Sequence, residues 1–316
     1  MAAPKKHQFL PIFYLKQWAS ENGTIVEYSK PYGDLLKPRR VNPAATGYIN
    51  RLYAIDGFAD ELAQEIESEF LSPIDSQAAE AQQLLLFEGS LSSAQRLAWA
   101  RFIATLMLRM PDDIMNLKAS LNELYRSIVP AFEGIYNHVL QNSNDPFDRV
   151  SEQVIALSSQ HAMLRLREIM SNRRLLDGLL KMEWLTLHVP DYDFITSDRP
   201  VIFESPFDDS QGWLACPISP NHVFFAYQNE ETRTQIKSAD PRKIRSKFNS
   251  LIAMSSKRFA YANRDNHLRF IQNRMGTLNS FCLTSNMKNS FSHHIPIVKT
   301  QLIKAGKEEI LRNLSF

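Results

Sequence analysis

Strand-like segments stand at both ends of this chain, and between them, from about residue 57 to 178, apolar residues keep helical spacing. A helical block bracketed by strands implies one α+β unit in which the N-terminal strands join the C-terminal sheet. The expected domain covers 1–316, its helical middle packed on a small mixed or antiparallel sheet. That sheet is built from the N-terminal lead-in and the C-terminal third. The sub-regions are a mixed lead-in at 1–55, a helical region at 56–180, and a sheet-rich region with a basic helix at 181–316.

The strongest helix signal is SSAQRLAWARFIATLMLRM (92–110), where Leu97, Phe102, Ile103, Leu106 and Met110 share the spacing and Pro111 stops the run. Before it, one helix holds Leu62, Ile66 and Phe70 and ends at Ser72-Pro73, and another holds LLLF (84–87) and ends at Gly89. Two longer helices are expected near 112–141 and 147–178, broken by QNSNDP. In the lead-in, Pro11 suits a helix start, with Ile12, Leu15 and Trp18 on one face and Asn22-Gly23 as its stop. TIVEYSK (24–30) and INRLYAI (49–55) read as strands around a Pro- and basic-rich connector. Short β-branched and aromatic runs at 183–189, 193–198, 201–204, 214–219 and 222–228 read as strands. DPRKIRSKFNSLIAMSS (240–256) is a helix with Asp240 as N-cap, and KRFAYAN (257–263) a strand. IPIVK and KEEILRNL read as a closing strand and helix.

The 36 basic and 34 acidic residues nearly cancel, but their distribution does not. Between Leu52 and Gln95 there are nine acids and no Lys or Arg; between Arg233 and Arg274 there are eleven basic residues against Asp240 and Asp265. Only Cys216 and Cys282 occur, which reads as buried thiols in a reducing compartment. MAAPKKHQF lacks the apolar core of a signal peptide, and no stretch approaches the ~18 continuous apolar residues of a membrane span. A soluble cytoplasmic protein is expected, with no membrane partner; homo-oligomerisation stays open.

Phosphate-binding GxxxxGK[ST], GxGxxG, HExxH, paired CxxC and GxSxG patterns are all missing. Weaker candidates remain. Asp198, in TSDRP, reads as a cap on the turn's backbone N–H groups or as a catalytic carboxylate at a strand end, two roles that do not exclude each other. His188 and His222 suit structural hydrogen bonds, and His293-His294 cannot both face one metal from a strand. His7 precedes a helix start, whose dipole favours the neutral imidazole of a base or ligand; a hydrogen bond to a loop carbonyl is the alternative. On the 240–256 helix, Arg242, Lys243, Arg245 and Lys247 form a cationic face. It either tracks nucleic-acid phosphates, with Phe248, Phe259, Tyr261 and Phe270 interleaved, or clamps the acidic helices at 52–95.

Several pieces fall in one order: His7, Pro11, Tyr14 and Leu15 as HxxxPxxYL, then Glu67 and Pro73-Ile74-Asp75. After them come Arg109-Met110-Pro111, FITSDRPV (194–201), PISP (217–220), and Asn249 ahead of a strand with Arg258 and Tyr261. Together they resemble the bacterial family known as domain of unknown function 4238, whose opening usually reads HYVPQFYL; here Gln8, Phe9 and Leu10 separate His7 from Pro11. The resemblance implies one fold over most of the chain and no particular reaction. It also implies a shared constellation of His7, Tyr14, Arg109, Asp198 and Arg199.

The expected function is a hydrolase that cuts phosphodiester bonds in nucleic acid, of bacterial toxin or phage-defence type. His7 is the candidate base or metal ligand, Asp198 its carboxylate partner, and Arg109 or Arg199 the phosphate clamp. A divalent metal ion is the candidate cofactor, and nucleic acid the candidate partner through 233–274. The alternative is a non-enzymatic binding or regulatory module in which Asp198 and Arg109 form a buried ion pair and His7 ties down the N-terminus.

Overall fold

The computed structural model describes residues 6–53, 64–120, 122–123, 163–190, 193–204 and 212–278. The helix break at 141–146, Asp191, Cys282, His293-His294 and the two closing elements lie outside them.

Chain order starts with strand β1 (Lys6–Gln8), the single turn α1 (Ile12–Leu15) and a 3-10 turn Lys16–Trp18. The hairpin β2 (Ile25–Tyr32) and β3 (Leu35–Val41) follows, then β4 (Tyr48–Asn50). A π-helical run, Glu65–Leu71, continues into α2 (Ser72–Leu86), and α3 (Ser93–Leu108) comes next. After α4 (Arg173–Lys181) come β5 (Glu183–His188), β6 (Thr196–Ser197), β7 (Ile202–Glu204), β8 (Trp213–Ser219) and β9 (His222–Tyr227). Helices α5 (Glu230–Ser238) and α6 (Pro241–Ser255), strand β10 (Phe259–Ala262) and α7 (Leu268–Gln272) complete the described chain.

The fold is α+β, and the strands form three antiparallel sheets: β1-β4, β3-β2-β10-β6 and β5-β9-β8-β7. In the second, N-terminal β2 pairs with C-terminal β10, Glu27 opposite Tyr261, so the two ends of the chain do share a sheet. The Pro- and basic-rich connector is strand β3. Pro38, opposite Tyr28, is tolerated because β3 is an edge and its outer side needs no N–H donor. Ser72-Pro73 starts α2 rather than ending a helix: the preceding π-helical run bonds Ser72 N–H to Glu67 O, and the proline, with no N–H to place, falls where the winding changes.

α3 is closed at its start by a capping box in which Ser92 and Gln95 satisfy each other's backbone N–H groups. Ten of its residues from Ala98 onward are buried, apolar nearly all round, because the helix runs through the main core rather than along its surface. That core unites Phe9, Tyr14 and Trp18 of the lead-in with Trp99 and Phe102 of α3 and Phe224 of β9. The Phe13 and Phe102 rings lie 5.1 Å apart, and Trp99 and Phe224 meet edge-on at 5.6 Å. The aromatic-rich opening is thus an anchor. Among the described residues, no helix is long and apolar enough to cross a membrane.

Candidate active site

The N-terminal strap is held by one carbonyl. Phe9 and Leu10 both donate their N–H groups to Gly47 O, at 2.9 and 3.0 Å. Gly47 sits at φ +67°, and a Cβ there would lie 3.0 Å from Leu10 O, so only glycine fits this approach. With the strap fixed, β1 pairs His7 with Ile49, and the imidazole turns inward, 2% exposed. Its Nδ1 accepts the Tyr53 N–H at 2.9 Å, and the two rings stack with centroids 5.1 Å apart. A ring that accepts at Nδ1 carries its neutral-state proton on Nε2. Nδ1 is therefore closed to a substrate proton or a metal ion.

The next residue reaches the helical region: Gln8 N–H donates to Glu67 Oε1 at 3.3 Å. Glu67 lies in the π-helical run, whose wider turn re-aims side chains relative to an α-helix and recurs at functional sites. One element on, Asp75 occupies the first turn of α2, where the helix dipole favours a negative charge. Arg109 caps the end of α3 and points back at it, Nη1 meeting Asp75 Oδ1 and Oδ2 at 3.0 and 3.1 Å. The guanidinium is fully buried, with its carbon 5.6 Å from the centre of the Phe102 ring.

Around this ion pair, buried polar atoms lack hydrogen-bond partners: Gln8 Oε1, Tyr53 Oη, Glu67 Oε2, and Nε and Nη2 of Arg109. Each such atom costs about 1–3 kcal/mol in an interior if nothing bonds it, so this group of atoms calls for partners from water or a ligand. The groups also sense one another. Burial pushes the Glu67 carboxyl up to about 7; the Gln8 N–H and Arg109 pull it down, and Asp75 pushes it further up. Burial lifts Asp75 as well, against the pull of Arg109. Tyr53 is held firmly protonated, first by burial and then by Glu67, with Arg109 opposing and Asp75 adding to the effect. The cluster thus joins a carboxyl that titrates near neutrality to a guanidinium with two open nitrogens and a phenol.

His7 and Arg109 therefore belong to one neighbourhood, linked through Tyr53, Glu67 and Asp75. The other residues singled out in the sequence make contacts elsewhere in the fold. Asp198 accepts the N–H groups of Lys257, Arg258 and Phe259 at 3.0, 2.6 and 3.2 Å. It is the turn cap, and the partner of Arg109 is Asp75, not Asp198. Burial pushes Asp198 up to about 6, although those three N–H groups and Arg199 pull it down. Tyr14 donates its hydroxyl to Pro217 O at 2.7 Å and lies 2.7 Å from Thr196 Oγ1, pinning α1 to β8 and β6. Arg199 pairs with Asp113 at 3.1 Å, and Arg258 with Asp112 at 3.1 Å, so the sheet is riveted to the segment after α3.

Elsewhere, His188 and His222 occupy paired positions and stack at 4.4 Å; burial and then His188 lower His222 to about 4. On α6, Arg242, Lys243 and Lys247 are exposed and Arg245 half-buried. In the acidic block, Glu65 pairs with Arg167 and Asp75 with Arg109. Cys216 is a buried free thiol. Among the described residues, no group of three or more His, Cys, Asp or Glu side chains is arranged to hold a metal ion.

Glu67, Asp75 and Tyr53 were not among the candidate site residues read from the sequence. Glu67 and Asp75 stand inside the ordered motif set, which was their only signal; Tyr53 carries none. The profile of a family described as "Protein of unknown function (DUF4238)" matches residues 6–266, which takes in every member of this cluster. No curated protein and no solved structure matches the chain significantly.

Proposed function

The chain belongs to the DUF4238 family of unknown function, and from that premise we propose that it is a bacterial, cytoplasmic hydrolase that cleaves phosphodiester bonds in nucleic acid. The toxin or phage-defence class of effector suits such an activity. The observation that carries this reading is the set of unpartnered buried atoms around the Arg109–Asp75 pair. A phosphate oxygen is the natural partner for the open Nε and Nη2 of Arg109, which present a planar fork in a water-poor setting.

In this reading Glu67 is the base, its carboxyl titrating near the working pH as efficient proton transfer requires. It takes a proton from water as the water oxygen bonds to phosphorus and the ester P–O bond breaks. The proton gained by Glu67 then passes to the departing oxygen, while Tyr53, held protonated, donates a hydrogen bond to a phosphate oxygen. His7 is a positioning residue: it holds Tyr53 by its backbone and by stacking.

The test is cleavage of bis(p-nitrophenyl) phosphate by wild type and Glu67→Gln protein. The substitution is expected to lower the rate by about 100-fold or more while the protein stays folded. Full activity in folded Glu67→Gln protein overturns the reading. The binding-module alternative draws its support from Tyr14, Asp198 and Arg199, whose polar groups are all engaged in holding the sheet together.

A further inference from the structure

A cleft of about 430 Å³ opens between α5, α6 and the faces of β8 and β9, and none of its lining residues belongs to the Arg109 cluster. Its volume falls within the roughly 300–1,000 Å³ of small-molecule sites. Three rings build one side. Phe225 and Phe248 meet edge-on at 5.2 Å and are buried; Trp213 stands against Phe248 at 6.2 Å and remains half-exposed. Two lysines also line it. Lys243 and Lys247 are one turn apart on α6, so they share a face. Lys247 lies 5.8 Å from the Trp213 ring centre, and Lys243 forms no ion pair among the described residues. Gln235 adds a carboxamide, whose Nε2 donates to Glu231 at 3.3 Å.

We propose that this cleft binds an unpaired nucleobase together with its phosphate: the base stacks on Trp213, and Lys243 and Lys247 take the phosphate charge. An aromatic platform beside cations is the arrangement that holds single-stranded nucleic acid without sequence preference, since every base has a π-face. Of the four cations on α6, Lys243 and Lys247 are the pair that does this, because they alone of the four line the cleft. The choice of nucleic acid over other planar anions rests on the phosphodiester reading above, and the cleft becomes the grip that delivers the strand. The same chemistry comes from a strand or from a free nucleotide.

The test uses full-length Glu67→Gln protein, so that nothing is cleaved, and fluorescence anisotropy of a labelled single-stranded oligonucleotide of about 12 nucleotides. Unlabelled AMP, the unlabelled single strand and a duplex of the same length serve as competitors. The Lys243→Glu/Lys247→Glu variant changes only exposed side chains and is expected to weaken binding at least tenfold and flatten its salt dependence. Trp213→Ala should weaken it about tenfold, and Trp213→Phe should retain most of it. Competition by AMP at matching concentration assigns the site to free nucleotides; competition only by single strands assigns it to a strand. Equal competition by the duplex overturns the proposal, because paired bases cannot reach the ring. So does binding that survives the lysine reversal, or no binding at all. Cleavage of bis(p-nitrophenyl) phosphate, too small to need the cleft, reports separately on the Glu67 site.

Discussion

Arg109 offers a single nitrogen, Nη1, to both oxygens of Asp75, at 3.0 and 3.1 Å. An arginine committed to structure usually meets a carboxylate fork to fork, two nitrogens on two oxygens. End-on pairing neutralises the buried charge and leaves half the guanidinium open. Asp75 thus supports Arg109 without consuming it.

Replacing either partner tests that support. Arg109→Met leaves a carboxylate largely buried without its counter-ion, and should cost about 3 kcal/mol in chemical denaturation. Adding Asp75→Leu should restore part of that loss, because an apolar pair needs no charge compensation. A double variant less stable than Arg109→Met alone would show that the two do not act as a pair.

Glu67 should make the protein less stable as the solution becomes more basic. Its folded value, about 7, lies above the 4.5 of an unperturbed glutamate. The folded protein therefore holds the proton where the unfolded chain has released it. That stabilising contribution is complete below about 4.5 and is lost as pH rises through 7, by up to about 3 kcal/mol. Glu67→Gln lacks the titration, so its Tm relative to wild type should rise between pH 5 and pH 8. A constant difference in calorimetric scans across that range would refute it. Gain of stability with loss of activity is the signature of a strained functional group.

Asp198→Asn should act on stability alone. The amide can present one oxygen to the Lys257–Phe259 turn, but its NH2 group then faces a backbone donor. The expected loss is about 2 kcal/mol, with the rate per folded molecule unchanged at a temperature well below Tm. A folded Asp198→Asn protein with a lowered rate would return Asp198 to the site.

Gly47→Ala should be destabilising out of proportion to one methyl group. It forces a positive φ on alanine and brings Cβ to 3.0 Å from Leu10 O, where a backbone atom cannot easily move aside. A loss of about 2 kcal/mol or more is expected, with faster proteolysis at the N-terminus, since Gly47 O anchors Phe9 and Leu10. Unchanged denaturation would mean that the strap contributes nothing to the fold.

Local chemistry made much of this architecture readable before the structure. Pro11 and Asp240 act within a few residues and the 92–110 run keeps its apolar spacing up to Pro111, so α1, α3 and α6 follow from local signals. The exchange of strands between the two ends followed from the helical middle. β3 was hidden because Pro38 argues against a strand everywhere except at an edge, and edges are set by tertiary pairing. In the site, His7 and Arg109 stood out through the motif order, but their partners did not. Whether Arg109 meets Asp75 or Asp198 is decided by how α2 and α3 pack, about which the spacing of residues 75, 109 and 198 says nothing. Asp198 reads from the sequence first as a turn cap and, compatibly, as a catalytic carboxylate, and in the structure its oxygens accept the backbone N–H groups of 257–259.

The π-helical run at Glu65–Leu71 carries more chain per turn than the α-helix it leads into. Lengthening or shortening that run by a single residue would regularise or further distort the winding, and would swing Glu67 by about a quarter turn or more around the axis. The orientation of this carboxyl is therefore guarded by segment length as strictly as by residue identity. Relatives that keep Glu67 and Asp75 but differ by one residue between them would retain the letters of the site and lose its aim.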